Sequence, residues 1–65
     1  MNQEYYEGVT KLEEMGCDEE YIQGWQAGYL QNPKREEQRV TEPYDAGYTD
    51  GEEKSTENAG NWLKK

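Results

Sequence analysis

Carboxylates are the most abundant side chains in this sequence that could do chemistry. The 65 residues include 15 Asp or Glu and no His, so no imidazole can act as a base near neutral pH. Neither Ser nor Cys stands in a nucleophile motif, and no phosphate-binding glycine loop follows a strand. A domain this small is also poorly suited to burying two carboxylates in one cleft with separated pKa values. We therefore expect no enzymatic activity.

The carboxylates near the C-terminus invite comparison with a calcium-binding loop. Gly51 and Glu57 have the separation of the glycine and the final glutamate of an EF-hand loop. That alignment puts Ala46 and Tyr48 where the first two acidic ligands belong, so the match fails. We expect no metal site and no cofactor. The acids concerned are Asp45, Asp50, Glu52, Glu53 and Glu57.

Cys17 is the single cysteine, so it cannot form an internal disulfide. Without histidine there is also no Cys/His zinc set. The sequence shows no signal-peptide pattern, no apolar stretch long enough to span a membrane and no lipidation motif. These features predict a cytoplasmic protein in which Cys17 is a partly buried, unreactive thiol.

The charge of the chain limits the partners it can bind. The formal net charge is -8, and a surface of this sign repels nucleic acids and anionic lipids. The expected partner is a basic protein surface, although the acids could instead serve only solubility. Aromatic residues are enriched among binding hot spots, so two tyrosines join the acids as candidates. The candidate partner-binding residues are Glu4, Glu7, Glu13, Glu14, Asp18, Glu19, Glu20, Tyr5 and Tyr6.

Apolar periodicity and capping residues predict the first two helices of an all-α domain spanning residues 1–65. Apolar side chains recur at helical spacing over residues 2–15, and Gly16 follows as a C-terminal cap. Asp18 is a good N-cap for a second helix over residues 19–31.

The second half of the chain predicts one further helix and a short last one. Thr41 is a good N-cap for a third helix over residues 42–52, with a proline in its first turn. Residues 44–51 could instead form a turn, because two of them are glycines. A short fourth helix is expected over residues 56–63. The predicted architecture is a small domain of three to four helices.

The second and third predicted helices share a pattern of aromatic residues and glycines. Each has aromatics at i and i+4 and glycines at i+3 and i+7, which form one stripe along a helix. A glycine inside a helix lowers its stability by about 0.5–1 kcal/mol relative to alanine, so a packing gain must offset it. We predict a central antiparallel pair in which the Trp25 ring rests on Gly47 or Gly51, and the Tyr48 ring on Gly24 or Gly28. The stripe residues are Tyr21, Gly24, Trp25, Gly28, Tyr44, Gly47, Tyr48 and Gly51.

Residues 20–52 resemble the ribosome modulation factor and its relatives, small two-helix proteins of bacteria and phages. The resemblance implies a glycine-rich helix pair and a ribosome-associated role in regulating translation. The ribosome-binding members are basic, as contact with RNA requires, whereas this chain is acidic. Lys34 and Arg35 also stand where the family has an aromatic residue after proline. The matching residues are Gly24, Trp25, Ala27, Gly28, Asn32, Pro33, Gly47, Tyr48 and Gly51.

These features favour a non-catalytic binding protein whose acidic helices dock on a basic surface of a protein partner and modulate or inhibit it. Its size and charge resemble those of small inhibitors that phages make against host nucleic-acid machinery, in which acidic rows occupy a phosphate site. One alternative is a ribosome-associated translation modulator. Another is a self-associating structural module, for example a dimer, in which the stripes pair between chains.

Overall fold

The computed structural model describes residues 3–34 and 40–64, and this part of the chain is helical. The element order is α1 (Gln3–Met15), α2 (Glu19–Tyr29), α3 (Glu42–Glu52) and a 3₁₀ helix (Ala59–Trp62). The all-α prediction is confirmed. The second helix ends two residues earlier than expected, and the last segment forms a 3₁₀ helix within the expected range 56–63. The expected first residue of α1 lies outside the described residues, as does Arg35.

The helix ends follow from the capping residues. Gly16 has φ +78, a left-handed conformation that glycine adopts without steric penalty, and its N–H donates to the carbonyl of Glu13 at 3.1 Å. The Asp18 carboxylate accepts the N–H of Glu20 at 2.8 Å and so caps α2. The Thr41 hydroxyl oxygen accepts the N–H of Tyr44 at 3.2 Å and caps α3.

The C-terminal segment packs against the turn between α1 and α2. The N–H of Asp18 donates to the carbonyl of Trp62 at 2.7 Å, and the N–H of Lys64 donates to the carbonyl of Gly16 at 2.6 Å. The Trp62 ring stacks over Tyr21 with centroids 6.3 Å apart. These contacts close the core at the end where α2 begins.

The contacts between α2 and α3 show that the two helices run parallel. A Cβ built on Gly24 would overlap the carbonyl oxygen of Tyr44 and lie 3.0 Å from the nitrogen of Tyr48. A Cβ on Gly28 would overlap the carbonyl oxygen of Tyr48 and lie 3.0 Å from the nitrogen of Glu52. Residue numbers increase together along the two helices, so the predicted antiparallel orientation is wrong.

The reciprocal contacts involve backbone atoms as well. A Cβ on Gly47 would overlap the carbonyl oxygen of Tyr21 and lie 2.9 Å from the nitrogen of Trp25. A Cβ on Gly51 would overlap the carbonyl oxygen of Trp25 and lie 2.8 Å from the nitrogen of Tyr29. The glycines therefore admit the facing helix backbone. The expectation that the rings of Trp25 and Tyr48 would fill these gaps is wrong.

A long connection allows the parallel arrangement. In a parallel pair the start of α3 lies beside the start of α2, and the 11 residues of α2 span about 16 Å; the 12 residues numbered 30–41 are enough to join the two ends. The start of this connection is held on α3: the Tyr48 hydroxyl donates to the carbonyl of Asn32 at 2.5 Å, and Lys34 forms an ion pair with Asp45.

The core lies between α1, α2 and the C-terminal segment. Leu12, Tyr21 and Trp25 are almost completely buried. The Trp25 ring lies against α1 at Gly8, where a Cβ would overlap ring atom Cη2 and lie 2.9 Å from Cζ2. The Trp25 Nε1–H donates to the carbonyl of Ser55 at 2.9 Å, which fixes the ring between α1 and the segment after α3.

Candidate functional site

The acids predicted to bind a partner have different roles in the structure. Asp18 is half-buried and caps α2. Glu20 is half-buried and accepts a hydrogen bond from the Thr41 hydroxyl at 3.4 Å. The other predicted acids are exposed: Glu4, Glu7, Glu13, Glu14 and Glu19.

The exposed acids also differ in where they lie along their helices. Glu4 and Glu19 lie in first turns, where the partial positive charge of the helix N-terminus favours a carboxylate. Glu13 and Glu14 lie at the other end of α1, whose last turn contains no basic residue. There the carboxylates face the negative end of the helix dipole. Helix stability therefore does not explain these two acids.

Glu13, Glu14 and Glu19 form the surface that we call the acidic corner. They are exposed and stand on either side of the turn that Gly16, Cys17 and Asp18 make between α1 and α2. Within residues 3–34 and 40–64, none of the three takes part in an ion pair. Their negative charge therefore faces solvent without a cation from the described part of the chain.

The two candidate tyrosines also differ. Tyr5 is half-buried, with its ring 6.2 Å from that of Trp25 and 5.4 Å from that of Tyr29, so it is part of the core and not an exposed anchor. Tyr6 is 49% exposed and packs edge-to-face on Tyr5 at 5.5 Å. Tyr6 is thus the more accessible of the two.

The stripe residues meet at the α2–α3 contact. Seven of them are buried, and Tyr48 is half-buried. Their backbone atoms pack the two helices together, and their burial leaves little surface for a partner.

A buried polar pair links the same two helices. The Tyr21 hydroxyl donates to the Asp50 carboxylate at 2.5 Å, and Asp50 also accepts from the Asn58 side chain at 3.5 Å. Burial, followed by the hydrogen bond to Asp50, raises the pKa of the Tyr21 hydroxyl above its ordinary value. Asp50, which the calcium-loop comparison had included, is 7% exposed and serves as an acceptor inside the fold.

A cleft of about 280 Å³ opens between α1 and the segment that follows α3. Trp25 and Tyr29 form its floor, and charged side chains form its walls. The sequence did not reveal this cleft, because its walls are far apart along the chain. Gly8 was the sequence feature that could have indicated a gap here, because it is a residue without a side chain between Tyr5 and Leu12 on the core face of α1. The charged lining residues are Glu4, Glu7, Lys11 and Lys54.

Cys17 lies inside the fold. It is 4% exposed, its thiol donates to the carbonyl of Ala59 at 3.6 Å, and burial raises its pKa. The thiol is therefore unsuited to act as a nucleophile. Across the described ranges, no group of three or more His, Cys, Asp or Glu could hold a metal ion. No helix in that part of the chain has the length and hydropathy needed to cross a bilayer.

Comparison with known proteins identifies no relative of this chain: no family model matches it, and neither a curated protein nor a solved structure does.

Proposed function

We propose that the protein is a non-catalytic binding protein whose acidic corner docks on a basic surface of a protein partner and modulates or inhibits that partner. The exposed positions of Glu13 and Glu14 in the last turn of α1 carry this proposal. A carboxylate there opposes the helix dipole by about 0.3–1 kcal/mol. A cationic partner surface would turn this local disadvantage into a favourable interaction.

The charge of the whole chain supports the same kind of partner. A net charge of -8 attracts basic surfaces and repels phosphate backbones. Exposed charges act over a screening length of about 8–10 Å at physiological salt, so binding through these exposed carboxylates should weaken as salt is added. A nucleic-acid-binding protein has the required basic surface, and the acidic corner would compete there with phosphates.

A capture experiment with matched variants tests this proposal. The immobilised protein is incubated with extract of the source cell at low and at high salt, and the retained proteins are identified. Glu13→Gln/Glu14→Gln removes two charges from the acidic corner. Glu53→Gln/Glu57→Gln removes two exposed charges elsewhere, and Glu53 is also at a helix C-terminus.

We expect the wild type and the Glu53→Gln/Glu57→Gln control to retain basic proteins at low salt. Glu13→Gln/Glu14→Gln should lose them, and high salt should release them from every variant. Equal retention by the two double variants, or retention insensitive to salt, would contradict the proposal. Retention of ribosomal particles would instead favour the alternative, a ribosome-associated translation modulator.

Self-association is the weaker alternative. Its premise is that one chain cannot bury both glycine stripes, but α2 and α3 of one chain bury them against each other. Light scattering over a range of protein concentrations tests this alternative directly, and a monomer at all concentrations would exclude it.

A further inference from the structure

Two stripes of side chains, one on α1 and one on α2, share a pattern. In each stripe the residues are three or four positions apart, so they lie along one side of their helix. Each stripe has apolar side chains far from the turn at residues 16–18 and a glutamate close to it. We call the two stripes together the hairpin face. Its residues are Tyr6, Val9 and Glu13 on α1, and Glu19, Ile22, Gln26 and Leu30 on α2.

The two stripes lie on the same side of the α1–α2 pair. The helices are antiparallel, because Gly8 lies against the ring of Trp25 and the ring of Tyr5 lies 5.4 Å from that of Tyr29. Each of these four contact residues is followed directly by a residue of the hairpin face. In an antiparallel pair of right-handed helices, one step along each chain turns toward the same side of the pair. The two stripes therefore stand next to each other.

The hairpin face points away from α3. Gly24 and Gly28, which contact α3, come one step before the contact residues of α2, so α3 packs on the opposite side. Solvent reaches the hairpin face, since Leu30 is 52% exposed and Tyr6 is 49% exposed. The isoleucine and the valine of the face are half-buried against the core. The fold thus leaves an accessible apolar surface on this side.

The charge on the hairpin face has one sign. Glu13 and Glu19 are both exposed at the end near the turn. Lys11 is the single basic residue of α1 and α2, and it lines the cleft between α1 and the segment after α3. A second copy of this acidic chain would be repelled by such a surface. A partner with both apolar and basic side chains complements it.

The shape of the hairpin face suits a helix. Neighbouring helices leave a groove between their axes that accepts the side chains of a third helix. Amphipathic helices bind such grooves through apolar residues at i, i+3 or i+4, and i+7. From Glu19 to Leu30 the stripe on α2 is about 16 Å long, which matches about three turns of a partner helix.

We infer that the hairpin face docks a basic amphipathic helix of the protein partner. The apolar side chains of that helix lie between Tyr6 and Leu30, and its lysines or arginines meet Glu13 and Glu19. The partner in this inference rests on the proposed function, which it narrows, because Glu14 stands one step past Glu13 and points about 100° away around α1. Docking of a helix on the face is measurable without the natural partner.

A peptide titration followed by NMR tests the inference. The probe is an amphipathic helical peptide of leucine and lysine with about 14 residues, about 21 Å long. One control peptide has glutamate in place of lysine, and another has alanine in place of leucine. The methyl signals of Val9 and Ile22 report on the hairpin face. The methyl signal of Ala46, which belongs to α3, is the internal reference.

Leu30→Gln is the key variant, because it removes an exposed apolar side chain of the face and leaves the charge unchanged. Leu63→Gln is its matched control, since Leu63 is 47% exposed and belongs to the C-terminal segment. We expect Leu30→Gln to bind the leucine–lysine peptide about four- to ten-fold more weakly than the wild type, the effect of burying half a leucine side chain. Leu63→Gln should bind like the wild type. Thermal unfolding of both variants checks that the fold is retained.

The charge of the face is tested with a second pair of variants. Glu13→Gln/Glu19→Gln removes both carboxylates of the hairpin face, and Glu53→Gln/Glu57→Gln removes two exposed charges elsewhere. We expect the first to weaken peptide binding at low salt at least about two-fold more than the second. Both control peptides should bind less well than the leucine–lysine peptide.

Four outcomes would overturn the inference. They are equal losses in Leu30→Gln and Leu63→Gln, equal losses in the two double variants, equal binding of the glutamate peptide, and a shift at Ala46 as large as those at Val9 and Ile22. Shifts at Val9 and Ile22 that depend on protein concentration without peptide would also contradict it, because the occupant would then be a second copy of the chain.

Failure of the proposed function is a separate result. If the peptide docks as expected but Glu13→Gln/Glu14→Gln retains its captured proteins, the docking face stands and the acidic-corner proposal fails. If capture depends on Glu13 and Glu14 but Leu30→Gln binds the peptide like the wild type, the proposed function stands and the docking face is wrong.

Discussion

The carbonyl oxygen of Tyr21 occupies the space that a side chain on Gly47 would need. Gly24 faces the carbonyl of Tyr44 in the same way, in the opposite direction across the interface. Both partners in each contact are helix backbone, which its own hydrogen bonds hold in place, so neither can move aside. Such close approach permits Cα–H···O contacts between helices. The backbones of α2 and α3 are therefore in direct contact. Glycine is required at these positions because any side chain would overlap the facing backbone.

Substitution of Gly47 by alanine should destabilise the protein. In an ordinary exposed helix the change would add about 0.5–1 kcal/mol of stability. Here the new methyl overlaps the Tyr21 carbonyl, and overpacking of this kind lowers stability by about 1–3 kcal/mol. Urea unfolding measures the difference. Gly60→Ala is the matched control, since a Cβ there meets nothing within 4 Å, and a similar loss in that variant would contradict the steric explanation.

Gly8→Ala should also destabilise the protein, through Trp25. The methyl would overlap the edge of the indole ring, and the ring cannot turn away without losing its hydrogen bond to Ser55. We expect a loss of about 1–3 kcal/mol and a changed near-ultraviolet circular dichroism signal from the indole. Thr10→Ala changes an exposed residue of the same helix and should do neither. An unchanged Gly8→Ala spectrum would show that the ring is not fixed at α1.

Tyr21→Phe should weaken folding and change its dependence on pH. Removing the hydroxyl deprives buried Asp50 of a donor, which lowers stability by about 1–3 kcal/mol. The pKa of Tyr21 is raised in the folded state by burial and by Asp50, so the unfolded chain ionises first, near pH 10. This contribution is complete below about pH 10 and is lost as the pH rises further. Urea unfolding from pH 9 to 11 should show a steeper fall for the wild type than for the variant, and identical slopes would contradict this.

Asp18 should matter for stability whether or not it contacts a partner. Asp18→Ala removes the N-cap of α2, which lowers stability by about 0.5–2 kcal/mol. Asp18→Asn removes the same charge but keeps an effective cap, so it should be close to the wild type. Thermal unfolding of the two variants separates cap from charge. If both lose equally, the charge of Asp18 and not its hydrogen bond to Glu20 supports the fold.

Local signals in the sequence predicted the helices well. The bounds of α3 agree with the expectation from Thr41 and the following proline, and Gly16 has the left-handed cap conformation expected of it. These features depend on neighbouring residues only. The last segment follows the same rule less closely: it forms a 3₁₀ helix over Ala59–Trp62, and its Trp62 ring stacks on Tyr21 of another element.

The direction of the helix pair could not be predicted from the stripe. Positions i, i+3, i+4 and i+7 have the same spacing when read from either end, so they fit a parallel or an antiparallel neighbour. The length of the connection, residues 30–41, was the better signal, because antiparallel neighbours usually need only about 2–5 residues. The role of Tyr5 was missed for a related reason: its place in the core depends on Trp25 and Tyr29, which belong to another helix.

The sequence also could not rank the acids, because their roles depend on the helix ends. Asp18 caps a helix and Glu19 lies in a first turn, whereas Glu13 and Glu14 lie where a carboxylate is unfavourable. Glu52 and Glu53 stand at the end of α3 in the same way, again with no basic residue in the last turn, so a carboxylate at a helix C-terminus does not by itself identify a binding site. The comparison of Glu13→Gln/Glu14→Gln with Glu53→Gln/Glu57→Gln tests whether the last turn of α1 differs.

The most direct test of this account measures stability and partner capture on the same variant, Glu13→Gln/Glu14→Gln. Because both carboxylates oppose the dipole of α1, their neutralisation should raise the free energy of unfolding at low salt, by about 0.3–1 kcal/mol for each. Capture of basic proteins should fall at the same time. A variant that is less stable than the wild type, or one that is more stable and still captures the same proteins, would contradict the claim that these acids serve binding and not the fold.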